Sequence, residues 1–260
     1  MDLSELTIWL PTLMLVLARV AGLCVVAPVL SHAAVPIRLR YAVSVVIALA
    51  VVGTGRWVGP PAAMPTSWLP LAGLIAVEAA IGAVIGFAAR LVFVGIELGA
   101  FHAGTQMGLT LAEIYAPAGG PAPGVTRRLF VLTAIVVFLA IGGHRELLGG
   151  VVRSFRTVPP ATFAIDRNVL TMIVALLGAS FTLALKVAAP VLAAMLLATV
   201  ALGLLQRSIR QCNLLSTGLP IRALLGLAVM TLALAALPDL VEQAWTLTAR
   251  ELPAALSGAR

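Results

Sequence analysis

Two apolar runs, Trp68 to Phe101 and Val169 to Leu205, constrain the fold of this chain more than any other feature. Each is far longer than a strand and exceeds the roughly 20 helical residues that cross a hydrocarbon layer. Lipid offers the backbone no water to bond, so a run of this length must satisfy its own N–H and C=O groups as helix. Shorter apolar runs cover Ile8 to Leu30, Tyr41 to Val52, Leu129 to Gly142 and Ala223 to Leu237. Only 10% of the 260 residues are charged and 61% are hydrophobic, against about 25% charged in a soluble domain. No polar block is long enough to form a separate soluble domain. The expected fold class is all-α, a polytopic membrane-type protein of helical hairpins, forming one domain over residues 1–260. Its N-terminal part ends near residue 165, and a C-terminal helical hairpin region fills the rest.

The runs do not divide into simple spans. Tyr41 to Val52 and Ala223 to Leu237 are short for a crossing, and the two longest are too long for one. Pro190 lacks an N–H and clashes with the preceding turn, so it predicts a hairpin or a kink near Lys186. Arg38 and Arg40 mark the first loop as cytoplasmic. The loop with Arg145, Arg153, Arg156 and Arg167 is more basic still, yet simple alternation of six spans puts it on the wrong side. Either a hairpin does not cross, or the helices are not in lipid; both point to a chain that belongs to an assembly.

Net charge is +7, and Lys186 is the one lysine among 17 basic residues. The arginines are scattered at the ends of apolar runs, where they suit anchoring to membrane lipid. They form no basic stripe interleaved with aromatics, so nucleic acid is not an expected partner. The N-terminus imitates a signal peptide, but Asp2, Glu5 and mid-run Arg19 depart from the charged-then-apolar pattern, and cleavage is not expected.

Charges inside the apolar runs are the candidate functional residues. Arg19, Glu78, Arg90, Glu97 and Lys186 are costly in lipid and face a protein interior or an aqueous path. Glu78 and Arg90 are twelve residues apart, about 18 Å along a helix, so each needs a partner from another helix or another chain. Snorkelling or structural pairing also accounts for Arg90 and Lys186. Gly82 and Gly86, Gly95 and Gly99, then Gly104 and Gly108 form three successive GxxxG pairs that allow close backbone approach, within the chain or with partners.

Catalysis finds no support. Lys186 follows SFTLAL, so no glycine-rich phosphate loop exists. The three histidines are scattered, the two cysteines form no CxxC, and no GxSxG elbow occurs. No cofactor and no metal are expected. One segment remains: Gln106 to Gly124, QMGLTLAEIYAPAGGPAPG, irregular and nearly uncharged between two apolar runs.

The stretches ARVAGLCVVAPVLSHAAVPIRLRYAVSVVIALAV, VEAAIGAVIGFAARLVFVGIELGAFHAGTQMGLTLAEIYAP, FLAIGGHRELLGGVVRSFRTVP and LLQRSIRQCNLLSTGLPIRALLGL, in this order, resemble the FliR/SctT family of type III secretion export-gate subunits. The resemblance carries the family's central acidic position to Glu78, its Q-x-G motif to Gln106 and Gly108, and its loop proline to Pro117. Its G-G-H and S-F-x-x-x-P elements fall on Gly142, Gly143, His144, Ser154, Phe155 and Pro159, and its late asparagine on Asn213. Arg210 in IRQCN, Ala116 before the loop proline, and Leu111 and Ile114 where aromatics are frequent depart from the pattern. The resemblance implies one subunit of an export gate in the bacterial inner membrane at the flagellar basal body. It would assemble with FliP and FliQ homologues beside FlhB and FlhA homologues and pass unfolded flagellar proteins. G-G-H favours the flagellar over the injectisome branch. The same resemblance implies that residues 106–124 plug the pore, with Gln106, Met107, Gly108, Leu109, Leu111, Ile114, Tyr115 and Pro117 involved. An apolar neck closes by dewetting and needs no fixed charge. A re-entrant linker is the alternative for this segment. A stand-alone secondary transporter is the alternative for the chain, although the internal symmetry expected of one is not visible.

Overall fold

The computed structural model describes residues 3–31, 35–53, 67–109, 124–160, 167–208 and 218–257. These form seven helices: α1 (Leu3–Val26), α2 (Ile37–Gly53), α3 (Trp68–Gln106), α4 (Val125–Ala140), α5 (Gly143–Thr157), α6 (Arg167–Ser208) and α7 (Leu219–Ser257). No strand occurs among the described residues, and the fold is all-α.

The helices end where the sequence supplies a reason. After α3, Gly108 adopts φ +80°, a left-handed conformation that glycine enters at little cost, and its N–H bonds the Thr105 carbonyl. Gly142, at φ +77°, sits in the turn between α4 and α5 and is the residue before α5. Pro159 cannot continue α5; its last turn closes through a bond from the Val158 N–H to the Ser154 carbonyl.

Three expectations change here. The Val169–Leu205 run does not turn back at Pro190: α6 is a single 42-residue helix with Pro190 inside it. Proline removes one hydrogen bond from the ladder, but a reversal needs turn residues, and the flanking KVAA and VLAA supply none. The basic stretch from Arg145 to Arg156 is not a loop but α5, an amphipathic helix with Leu147, Val151 and Phe155 buried and its arginines exposed. The last helix also extends well beyond Leu237. α7 continues through Asp239, Glu242 and Arg250, which lie on an exposed face, while Val241, Trp245 and Leu252 carry the apolar face onward.

The described residues fall into two compact units: Met1–Leu91, Gly142–Leu177 and Trp245–Arg260 make one, Val92–Ile141 and Gly178–Ala244 the other. In the first, Leu15, Val16, Val20 and Leu23 of α1 are buried against α2 and the first part of α3. Small residues bring α1 and α3 backbone to backbone: Gly22 lies on Ala79, Gly82 on the Arg19 carbonyl, and Gly86 near Leu23. In the second, Ala103, Met107, Val191 and Met195 form a buried cluster onto which Leu109 and Val229 pack. Phe93 and Phe138 meet edge to face at 5.4 Å, a geometry worth about 1 kcal/mol beyond burial. Gly95 and Gly99 admit α6 at Ser180, Ala184 and Val187.

Among the described residues, four helical stretches are long and apolar enough to cross a membrane: Trp9–Val26, Trp68–Gln106, Val169–Leu205 and Leu219–Pro253. α6 is apolar nearly all round, with Leu170, Val174, Phe181, Leu185, Leu196 and Leu197 exposed. A helix of that kind is stable only inside lipid or against other protein.

Candidate functional site

The chemistry of the first unit concentrates around Arg19. This residue, in the second half of α1, is fully buried, and so is Glu78 on α3. Arg19 Nε donates to Glu78 Oε2 at 2.6 Å. Its Nη1 donates to Ser154 Oγ at 3.1 Å and to the Val158 carbonyl at 3.0 Å. The guanidinium lies 4.3 Å from the centroid of the Phe155 ring. Three helices thus meet at one cation. α1 carries it, α3 gives a countercharge, and α5 gives both oxygen acceptors at its negative C-terminal end and, through Phe155, the negative face of an aromatic ring. Ser154 Oγ also donates to the Val151 carbonyl at 2.6 Å, which fixes the hydroxyl as acceptor toward Arg19. Glycine makes the approach possible, because a side chain on Gly82 would collide with the Arg19 carbonyl.

Taking two charges out of water costs several kcal/mol per ion, and mutual attraction offsets that only with good geometry and further hydrogen bonds. The bidentate-capable guanidinium suits the task better than an ammonium. Nη2 has no hydrogen-bond partner among the described residues. A second polar link joins α5 to α7, where Trp245 Nε1 donates to Glu146 Oε2 at 2.6 Å.

The other residues singled out by sequence are dispersed. Glu97 pairs with Arg127 of α4 at 3.3 Å, with both side chains partly exposed; such a pair contributes at most about 1 kcal/mol. Arg90 and Lys186 are exposed on α3 and α6. Gly82, Gly86 and Gly99 all lie in contacts within the chain. Gln106 is the exposed last residue of α3. Met107 is buried, and a side chain on Gly226 of α7 would strike its thioether. Leu111, Ile114, Tyr115, Pro117 and Asn213 lie outside the described residues.

Sequence inspection marks Ser154 and Phe155 as family elements without a purpose; the structure makes them part of the Arg19 cage. It passes over Gly22, Glu146, Trp245 and Gly226. Gly22 lies one turn along α1 from Arg19, a usable signal; the link from Trp245 to Glu146, 99 positions apart, leaves none. Among the described residues, no group of three His, Cys, Asp or Glu side chains is placed to hold a metal ion.

Long apolar helices, close glycine contacts and a buried ion pair define a polytopic α-helical membrane protein whose polar interior serves packing. The family model for "Bacterial export proteins, family 1" matches residues 10–248, and the chain belongs to that family. The flagellar biosynthetic protein FliR of Pectobacterium carotovorum subsp. carotovorum is 28% identical over 229 residues, 86% of this chain and 84% of its own length. FliR of Bacillus subtilis (strain 168) is 24% identical over 242 residues, 92% of each chain. The secretion system apparatus protein SsaT of Salmonella typhimurium is 30% identical over 168 residues, 64% of each chain.

Proposed function

We propose that this chain is a subunit of the flagellar type III protein export gate. It would form, with FliP and FliQ homologues and beside FlhB and FlhA homologues, a pore for unfolded flagellar proteins across the bacterial inner membrane. The observation that carries this reading is the family match over residues 10–248, together with flagellar relatives aligned over most of their length. In this reading residues 1–260 are one domain. The chain catalyses nothing, and Arg19 and Glu78 act in assembly by locking α1, α3 and α5 into one docking shape. Residues 106–124 plug the pore. The buried Met107 and the left-handed Gly108 support a fixed root for such a plug, because they hold its first residues against α7. Injectisome relatives, SsaT among them, support a second reading, in which the same subunit serves an injectisome.

Co-expression with FliP and FliQ homologues tests the assembly. The expected result is one detergent-stable complex containing this chain, and a chain that purifies alone as a symmetric oligomer counts against the gate. Deletion of Leu111 to Ala118 in that complex tests the plug. Assembly is expected to survive while the membrane begins to leak ions and small dyes; an intact complex in tight membranes makes the segment a linker.

A further inference from the structure

A cavity of about 360 Å³ lies within the first unit, between α5 and the end of α7, with Ile85 of α3 on its wall. That is the size of a small ligand site and too small to admit a helix, which is roughly 10 Å across. The α7 wall is Trp245, Ala249, Leu252 and Pro253, one stripe of a helix that is itself a candidate membrane span over Leu219–Pro253.

The α5 wall is different in kind. Gly150 and Thr157 lie between the buried apolar face of α5 and its exposed arginine face, and Arg153 stands at the near edge of the latter. Arg145, Arg153 and Arg156 fall within roughly 80° of one another around this helix. Arg153 has no ion-pair or hydrogen-bond partner for its guanidinium among the described residues. The cavity is also polarised along its length. Glu146 lies on the wall about 10 Å from Arg153 along the helix axis, and its carboxylate already accepts the Trp245 indole N–H. An anion is therefore repelled from one end of the cavity and attracted to the other.

We propose that this cavity binds an anionic phospholipid, one acyl chain lying along Ile85, Ala249 and Leu252 and the phosphate held by Arg153 at the edge. The apolar wall of Ile85, Ala249 and Leu252 takes a flexible apolar chain, the free guanidinium takes the phosphate, and the surrounding bilayer supplies both in one molecule. Basic amphipathic helices favour anionic lipid surfaces for the same electrostatic reason. The inference stands on the membrane fold and is independent of the export-gate reading.

Full-length protein in nanodiscs of phosphatidylcholine, with or without phosphatidylglycerol, then released for native mass spectrometry, provides the test. The wild type is expected to retain phosphatidylglycerol in preference to phosphatidylcholine. Arg153→Gln removes a charge-assisted contact and is expected to weaken retention about tenfold. Leu252→Trp and, separately, Ala249→Phe fill the cavity and are expected to abolish retention with Arg153 intact. Arg145→Gln, on the same stripe but off the cavity wall, is expected to leave it unchanged. Equal retention in the wild type, Arg153→Gln and whichever cavity-filling variant folds overturns the proposal. So does displacement by soluble glycerol phosphate at matched concentration, which would make the site a free-phosphate site. Capture of a partner protein instead of lipid by a photocrosslinker at position 252 overturns it as well, because the cavity would then be a protein interface.

Discussion

Arg19 shows how one side chain sets the energetics of a membrane-embedded core. Its countercharge, its oxygen acceptors and its aromatic neighbour come from α3 and α5, so it links elements that share little sequence proximity. Removing one member of a buried pair leaves the other charged and unpartnered, at about 3–5 kcal/mol. Glu78→Gln and Arg19→Met are each expected to lose that much in a thermal or denaturant unfolding assay in detergent. The double variant Arg19→Met with Glu78→Leu is expected to lose clearly less than the sum, since the stranded charge is gone; additive losses would show that the two residues do not act as a pair. Gly142 makes a different point. Nothing lies near the space where a Cβ would go, so only its φ of +77° requires glycine. Gly142→Ala is expected to cost about 1–2 kcal/mol in the same assay, and a neutral result would mean that the turn relaxes.

At the scale of the helix, the GxxxG series resolves into three separate tasks. Gly82 and Gly86 seat α1, Gly95 and Gly99 seat α6, and Gly104 lies beside Thr126 of α4 while Gly108 ends the helix. A sequence pattern of small residues announces close approach but cannot name the neighbour, because spacing fixes only the face of the helix that carries the glycines. Gly82→Ala and Gly99→Ala are therefore expected to destabilise by about 1–3 kcal/mol through overpacking. Gly178, within α6 and with open space around it, is the control. Gly178→Ala is expected to be neutral or to stabilise by up to about 1 kcal/mol through helix propensity. Melting temperatures of the three variants in one detergent decide the matter, and indistinguishable values would remove the close contacts as an explanation for these glycines.

For the whole molecule, the helices α3, α6 and α7 reach 39, 42 and 39 residues, about 60 Å each at 1.5 Å per residue, twice the thickness of a hydrocarbon core. Each must therefore extend beyond the lipid or lie partly against protein. The chain is expected to stay in the membrane fraction through carbonate and urea washes, and release by either would argue against spanning helices. The sequence by itself determined the class of the fold, since uninterrupted apolar runs admit only helices in a dry environment, and the ordered motifs carried the family. It also determined which residues were out of place in such runs, because a charge among leucines is visible without any coordinates. Lengths and partners were decided by tertiary structure. α6 runs through Pro190 because no turn residues follow it, and α7 continues past Leu237 because its second half needs only one apolar face. Arg19 meets Glu78 and Ser154, 59 and 135 positions away, because glycine at position 82 lets two backbones touch. Spacing along a chain specifies a face of a helix, and only packing decides what that face meets.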